Sequence, residues 1–300
     1  MLRRVILRAM VTVAVSTVAV TQLRGQVPAE GPVFDVVSIK KVPAGTFGGG
    51  PIRVRPDGGM SLTAPASSLV RMAYASTDGP FDIVGLPDWA SRDSYNMTAT
   101  SSLPKATPED RKAMLRAMLA DRFKLLAHLE RRELPVYDLV RARSDGRLGP
   151  GLTPIEADCA AKLAADRVAA EAAIATGTPI VPQRPDLNAP PPPCTLRSVG
   201  ARDGKSDRLE GEGPISSLAI LLRLPAGRFV IDKTGLMGSY SMQMLFSVRA
   251  SRGGPDVASA DADLAPSVFT AIRDLGLRLE SSKAEADVVV IDHLEPPTEN

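Results

Sequence analysis

The sequence is poor in the residues from which many catalytic and metal centres are built. Its 300 residues include two cysteines, two histidines and one tryptophan, and aromatic residues make up 4% of the chain. His128 and His293 lie far apart in the sequence, so a zinc site is not expected, and we predict no metal and no other cofactor. The scarcity of aromatic side chains leaves few platforms for stacking bases, and nucleic acid is therefore not an expected partner.

Short catalytic motifs are also missing. The sequence has no Gly-x-Ser-x-Gly elbow, no phosphate-binding loop and no His-Glu-x-x-His pair, which are typical of serine hydrolases, nucleotide-binding enzymes and zinc proteases. Ser38 and Lys41 have the spacing found in penicillin-binding enzymes, but they lie in a strand-like run, where residues three apart point to opposite faces. We assign no catalytic residue, and a non-enzymatic protein is the favoured interpretation.

The first 26 residues have the pattern of a secretory signal peptide. Arg3, Arg4 and Arg8 precede an apolar run from Ala9 to Val20, which is too short to span a bilayer comfortably. We expect cleavage between about residue 20 and residue 29; the alternative is an uncleaved membrane anchor. The mature chain is then periplasmic or extracellular, with no stable membrane insertion.

Removal of this segment also changes the charge of the chain. Residues 1–26 hold four arginines and no acidic residue, so their loss brings the formal net charge from +2 to −2. A mature chain that is slightly acidic has no electrostatic reason to bind nucleic acid.

The two cysteines, Cys159 and Cys194, favour a disulfide. An even pair in an exported chain meets an oxidising compartment. The bridge would close a loop of about 35 residues and stabilise the fold by about 3–4 kcal/mol. The alternative, two free thiols, stays open at this point.

Two stretches of the chain repeat each other. Pro65–Leu69 matches Pro214–Leu218 in its Pro-x-Ser-Ser-Leu pattern, and Ser94–Met97 matches Ser239–Met242 in its Ser-Tyr-x-Met pattern. An internal repeat predicts architecture. We predict an α+β fold made of two related strand-helix-strand-strand-helix-strand-strand units, each a small mixed sheet with its helices packed on one face.

The predicted organisation has four parts. They are a signal peptide at 1–26, a first α+β unit at 30–144, an insert with an alanine-rich helix and a proline-rich linker at 145–200, and a second α+β unit at 201–300. Each unit is expected to close with two strands. These are Phe123–Leu129 and Leu134–Arg141 in the first unit, and Leu277–Glu280 and Asp287–His293 in the second.

Two loops are the best candidates for recognition, because loops on a rigid scaffold usually carry it. They are Gly85–Trp89, which contains the only tryptophan, and Thr234–Ser239. The predicted ligand or partner contacts are Asp88, Trp89, Asp232, Lys233, Thr234 and Tyr240. Asp232-Lys233-Thr234-Gly235 also matches the phosphorylated motif of P-type ATPases, but a turn capped by Asp232 is the favoured interpretation.

The histidines suggest an alternative function. His128 and His293 are each followed two residues later by a glutamate, and alternate residues of a strand share a face. Each pair therefore suits an ordinary surface ion pair. The alternative to a binding module is a secreted hydrolase that combines Asp232, Asp292 and His293.

Several stretches resemble an uncharacterised exported family, a domain of unknown function abundant in soil Acidobacteria. The similar stretches are Phe34–Lys40, Gly85–Trp89, Met118–Leu125 with His128, Glu133–Tyr137, Asp232–Tyr240, Leu275–Glu280 and Val290–Asn300. The resemblance implies an exported protein and supplies no activity or catalytic residue. Ser267–His293 is more weakly similar to the periplasmic module at the N-terminus of secretins and TonB-dependent receptors, which implies a possible partner protein in the cell envelope.

Overall fold

The described part of the chain forms three four-stranded sheets with helices between them. The computed structural model describes residues 31–43, 52–55, 57–75, 79–101, 103, 106–176, 186–200, 206–247 and 265–297. The predicted signal peptide therefore lies outside the described residues. The described elements from Gly31 onward belong to one compact unit, and the fold is α+β, as the sequence predicts.

The first half contains six strands and three helices among its described residues. They are β1 (Val36–Lys41), β2 (Arg53–Val54), β3 (Met60–Pro65), α1 (Ala66–Tyr74), β4 (Phe81–Val84), α2 (Trp89–Arg92), β5 (Ser94–Thr100), α3 (Pro108–Arg122) and β6 (Leu126–Arg141).

The second half also contains six strands and three helices in its described part. They are β7 (Leu152–Ile155), α4 (Cys159–Thr176), β8 (Leu196–Gly200), β9 (Asp207–Gly213), α5 (Ile215–Ala226), β10 (Val230–Asp232), β11 (Ser239–Phe246), α6 (Val268–Ala271) and β12 (Leu277–His293). A 3₁₀ turn, Ile272–Leu275, joins α6 to β12.

The first and third sheets have the same strand order. The first is β1-β5-β3-β2 and the third is β7-β11-β9-β8, and every neighbouring pair in both sheets is antiparallel. In each half, the edge strand that comes first in the chain pairs with the next strand after that half's short strand of the middle sheet. β1 thus pairs with β5, which follows β4, and β7 pairs with β11, which follows β10. The described strands of the two halves therefore correspond in order, whereas α2 and α4 have no counterparts in the other half.

The middle sheet is built by both halves. Its order is β10-β6-β12-β4, with β6 and β12 antiparallel at the centre. β10 runs parallel to β6, and β4 runs parallel to β12. Each half thus places one short strand beside the long strand of the other half.

The predicted pairs of closing strands are wrong. Each pair is one continuous strand, 16 residues in β6 and 17 in β12, and the two strands pair with each other. The polar stretches that suggested turns continue the ladder through cross-strand ion pairs, Arg131 to Glu285 at 3.2 Å and Lys283 to Glu133 at 2.6 Å. Neither stretch contains a glycine to reverse the chain.

The stretch 145–200 supplies β7 and β8, which are the two edge strands of the third sheet. The sequence did not indicate these strands, because both are short and neither has an alternating pattern of buried apolar residues. Their pairing partners, β11 and β9, lie far along the chain.

Local sequence accounts well for the helix ends. Thr107 caps α3, since its hydroxyl accepts a hydrogen bond from the Asp110 amide while the Asp110 carboxylate accepts one from the Thr107 amide. This reciprocal pair, with Pro108 in the first turn, is a strong helix start. Gly276 ends the 3₁₀ turn with φ of +74°, a left-handed conformation that suits glycine.

Two apolar cores stabilise the fold. The first lies among α1, α3 and the first sheet and includes Met97, Leu119 and Phe123. The second lies among α5, α6 and the third sheet and includes Leu222 and Phe246. Residues at opposite ends of the middle sheet join these cores, Val289 and Ile291 in the first and Leu139 and Leu277 in the second.

The predicted disulfide is confirmed. Cys159 and Cys194 are bonded, and both are buried. The bridge ties the first residue of α4 to the segment that precedes β8. Beyond Cys159, the described side chains of α4 are almost all exposed, so the bridge is the main described anchor of this helix.

Candidate functional site

The two loops predicted for recognition lie at opposite ends of the middle sheet. Val84 pairs with Val290, whereas Asp232 pairs with Leu139, which in turn faces Leu279. The two positions are eleven residues apart along β12, which corresponds to about 35 Å at ~3.3 Å per residue. The six predicted contact residues therefore form two separate groups.

The first group is built around Trp89. This residue begins α2, is partly buried against the first core, and meets the Tyr95 ring edge-on with the ring centroids 6.4 Å apart. Asp88, just before the helix, is exposed. The tryptophan mainly packs, which leaves Asp88 as the accessible residue of this group.

The second group is a turn organised by Asp232. Its carboxylate accepts hydrogen bonds from the Thr234 amide (2.9 Å) and the Thr234 hydroxyl (2.7 Å). Arg141 donates to the Thr234 carbonyl (2.9 Å), and the Tyr240 hydroxyl donates to the Met237 carbonyl (3.0 Å). The predicted turn is confirmed. Thr234 and Tyr240 are buried in it.

Lys233 is exposed. Gly235 and Gly238 have φ of +64° and +85°, which other residues adopt only with strain. The similarity of Asp232–Gly235 to a phosphorylation motif is thus explained by the requirements of the turn.

A cavity of about 430 Å³ opens beside this turn. We call it the α5 cavity, because the start of α5 forms one wall. Its lining residues are Ile155–Asp158, Ala160, Pro214–Ser216, Asp232 and Leu236–Ser239. Met237 at its rim is 87% exposed. The volume is within the range of sites that bind small molecules or side chains.

The α5 cavity lies at the first residue of an exposed strip along the helix. Ser216, Ile220 and Leu224 are spaced four residues apart, so they lie along one face of α5, and we call them the α5 stripe. Ile220 is 57% exposed and Leu224 is 84% exposed. The opposite face, with Leu218 and Leu222, is buried in the second core. The two exposed aliphatic side chains next to the cavity, Ile220 and Leu224, are candidates for partner contact.

The sequence reasoning missed the α5 stripe, although the internal repeat contains a sign of it. When Pro65–Leu69 is aligned with Pro214–Leu218, Arg71 corresponds to Ile220. Arg71 is exposed and lies over the Phe81 ring, 5.6 Å from its centroid. The second half has an apolar residue where the first half has a charged one.

The residues of the alternative hydrolase are not brought together. Asp292 lies thirteen residues beyond Leu279 on β12, so it is about 40 Å from Asp232 along the sheet at ~3.3 Å per residue. Hydrogen-bond catalysis cannot join groups so far apart. Asp292 instead contacts His128, with Nδ1 and Oδ2 2.8 Å apart, while His293 contacts Glu295 at 2.9 Å.

His128 lies between two carboxylates on the exposed surface. Its Nε2 is 3.0 Å from Glu130, which also accepts a hydrogen bond from Arg132 at 2.6 Å. The hydrogen bond with Asp292, and then that with Glu130, raises the pKa of His128. The hydrogen bond from Arg132, and then that with His128, lowers the pKa of Glu130. Both ring nitrogens are occupied, as in a surface ion-pair cluster.

A second cavity, of about 470 Å³, is lined by three arginines, Arg143, Arg273 and Arg278. Two of them are already neutralised. Arg143 donates hydrogen bonds to the Asp145 carboxylate from Nε and Nη2, and this pairing lowers the pKa of Asp145 to about 2. Arg278 donates to Glu280 at 2.7 Å. This cavity has a weaker case for a ligand than the α5 cavity.

Among the described residues, one group of potential metal ligands comes together, Cys159, Cys194 and Glu212. The cysteines are bonded to each other and so have no thiolate for a metal. In this part of the chain, no helix has both the length and the apolar character needed to cross a membrane.

The family comparison gives one match. A family described as a protein of unknown function, DUF3738, matches residues 67–294. The chain belongs to the DUF3738 family. The match begins in α1 and ends just after β12, so the DUF3738 region contains the middle sheet, the disulfide and the α5 cavity. No curated protein and no solved structure matches the chain.

Proposed function

We propose that this DUF3738 protein is an exported, non-enzymatic binding module of the cell envelope, and that the α5 cavity and the α5 stripe form its binding surface. The observation that carries the proposal is the continuity of the two. The α5 cavity, which has the exposed side chain of Met237 at its rim, adjoins the exposed side chains of Ile220 and Leu224 on α5. Methionine adapts to varied partners.

Export is supported by the first 26 residues and by the disulfide. Residues 1–26 have the pattern of a signal peptide, and the Cys159–Cys194 bond is of a kind that persists in oxidising compartments. The likeness of Ser267–His293 to an envelope module favours a protein partner.

The separation of Asp232 from Asp292 and His293 argues against the hydrolase. The remaining pair, His128 with Asp292, resembles a base with an orienting carboxylate, but Glu130 engages the other ring nitrogen. Binding without turnover is therefore the function that the geometry supports best.

The test is a selection of displayed random peptides on the mature chain, followed by affinity measurements with substituted proteins. Leu224→Lys and Met237→Lys should each weaken the selected binders at least about tenfold, the effect of losing a central apolar anchor. Val168→Lys on α4 is the matched control, since Val168 is also an exposed helix residue, 65% accessible. It should leave affinity unchanged.

Turnover is measured in parallel on a panel of peptides, glycans and esters. We expect none. Repeated turnover by the purified chain, or selected binders that are indifferent to both Leu224→Lys and Met237→Lys, would overturn the proposal.

A further inference from the structure

The two halves differ at one connection, and this difference points to the kind of ligand. In the first half, residues 85–93 join β4 to β5 and include α2. In the second half, the shorter stretch 233–238 joins β10 to β11. Because the first and third sheets share one strand order, the two connections hold corresponding places in the fold.

In the first half, the connection contains α2. It contacts α1 and β3, which correspond to α5 and β9. Trp89 begins α2 and packs edge-on against Tyr95. Tyr240 corresponds to Tyr95, as both are the second residues of their strands, yet its hydroxyl bonds to the Met237 carbonyl of the short turn. No helix stands in the second connection, all of which is described, and the α5 cavity opens at the junction of β9 with α5.

The lining of the α5 cavity also prefers one sign of charge. Its charged side chains are Glu156, Asp158 and Asp232, and none of the described residues that line it is basic. Asp158 is held by a hydrogen bond from the Ala161 amide (2.9 Å), and Asp232 by the turn that it organises. These fixed carboxylates favour a cationic occupant and disfavour an anionic one.

Resting on the proposed function, we infer that the α5 cavity binds a segment of a partner protein that forms a helical turn with an aromatic residue and, three residues later, a lysine or arginine. This is the pattern of α2 itself, with Trp89 and Arg92. The aromatic ring enters the cavity beside Leu236 and Met237, and the basic group meets Glu156. The remaining turns of the segment lie on the α5 stripe.

The probe is a fluorescein-labelled peptide that copies residues 84–93 of the chain, Val-Gly-Leu-Pro-Asp-Trp-Ala-Ser-Arg-Asp, and the readout is anisotropy with the mature protein. We expect saturable binding. A peptide with alanine in place of tryptophan should bind at least about tenfold more weakly. A peptide with glutamate in place of arginine should bind about threefold more weakly, with a smaller difference at high salt.

Three protein variants locate the site. Ser216→Trp fills the cavity from the exposed start of α5 and should weaken binding about tenfold or more. Glu156→Lys reverses one rim charge and should weaken binding about threefold. Glu171→Lys makes the same charge change at an exposed position of α4 outside the lining and should have no effect. Circular dichroism checks that each variant is folded.

The outcomes separate this inference from the proposed function. If the peptide does not bind, or binds equally well to Ser216→Trp, the inference is overturned, while the proposed function stands as long as selected binders respond to Leu224→Lys. If sedimentation shows a dimer that Ser216→Trp abolishes, the occupant is a second copy of the chain, and the inference of a partner protein is also overturned.

Discussion

Gly149 and Gly276 cross so closely that a side chain fits on neither. A Cβ on Gly276 would lie 2.5 Å from the amide nitrogen of Gly149. Gly149 lies in the connection that leaves β6 for β7, and Gly276 directly precedes β12. The crossing therefore fixes where the chain leaves one long central strand and enters the other.

Gly276→Ala should lower the free energy of unfolding by about 3 kcal/mol, because a Cβ adds both strain at positive φ and overlap with backbone. Urea denaturation measures it. Gly227→Ala is the matched control, since Gly227 has φ of +71° with nothing within 4 Å of its Cβ position. It should cost about 1 kcal/mol, from φ alone. Equal losses in the two variants would contradict the tight crossing.

The disulfide should contribute about 3–4 kcal/mol, because it constrains the unfolded chain over a separation of 35 residues. Replacing Cys159 and Cys194 together with alanine should lower the urea midpoint. Reductant should lower the midpoint of the natural protein to a similar value and leave the variant unchanged. A variant as stable as the natural protein would show that the bridge only positions α4.

The raised pKa of His128 predicts a pH-dependent surface contact. Because the folded value lies above the ordinary value of 6.5, the contribution to stability is complete below pH 6.5 and is lost as pH rises through the folded pKa. Asp292→Asn should lower the pKa more than Glu130→Gln, since Asp292 is the larger cause. NMR titration of the ring protons checks this, and His293→Gln assigns the signals. An Asp292→Asn variant with an unchanged pKa would refute the assignment.

Trp89→Ala should act on stability, with a loss of about 2–3 kcal/mol, because the ring packs on the first core and on Tyr95. Met237→Ala in the corresponding connection is the control and should cost little, since Met237 is 87% exposed. Thermal unfolding compares them. If Trp89→Ala abolished binding of the selected peptides and left stability unchanged, Trp89 would be a recognition residue and not a packing residue.

Features of the fold that depend on neighbouring residues could be predicted from the sequence, whereas most features that depend on residues far apart in the chain could not. The capping of α3 by Thr107 and the turn at Asp232 were predictable, since each needs residues within a few positions of one another. The pairing of β6 with β12 was not, because Glu133 and Glu285 become neighbours only in the sheet. Cys159 and Cys194 were an exception, since chemistry pairs them without a local pattern.

The candidate site followed the same division. The loop Thr234–Ser239 was predicted as a recognition loop because it is the equivalent of Gly85–Trp89 and because loops on a rigid scaffold usually carry recognition. The cavity beside it was not, since its walls at Glu156 and Ser216 come from segments that no local pattern connects to the turn. The exposure of Leu224 also depended on which face of α5 is buried in the second core.

The sequence by itself determined the helix ends, the turn geometry and the cysteine pair, because these depend on short-range sterics, hydrogen bonds and covalent chemistry. Only the tertiary structure decided that each half places a short strand beside the long strand of the other half, and that Glu156 and Ser216 line the same cavity. Those outcomes depend on which apolar surfaces are buried against each other, and burial is a property of the whole folded chain.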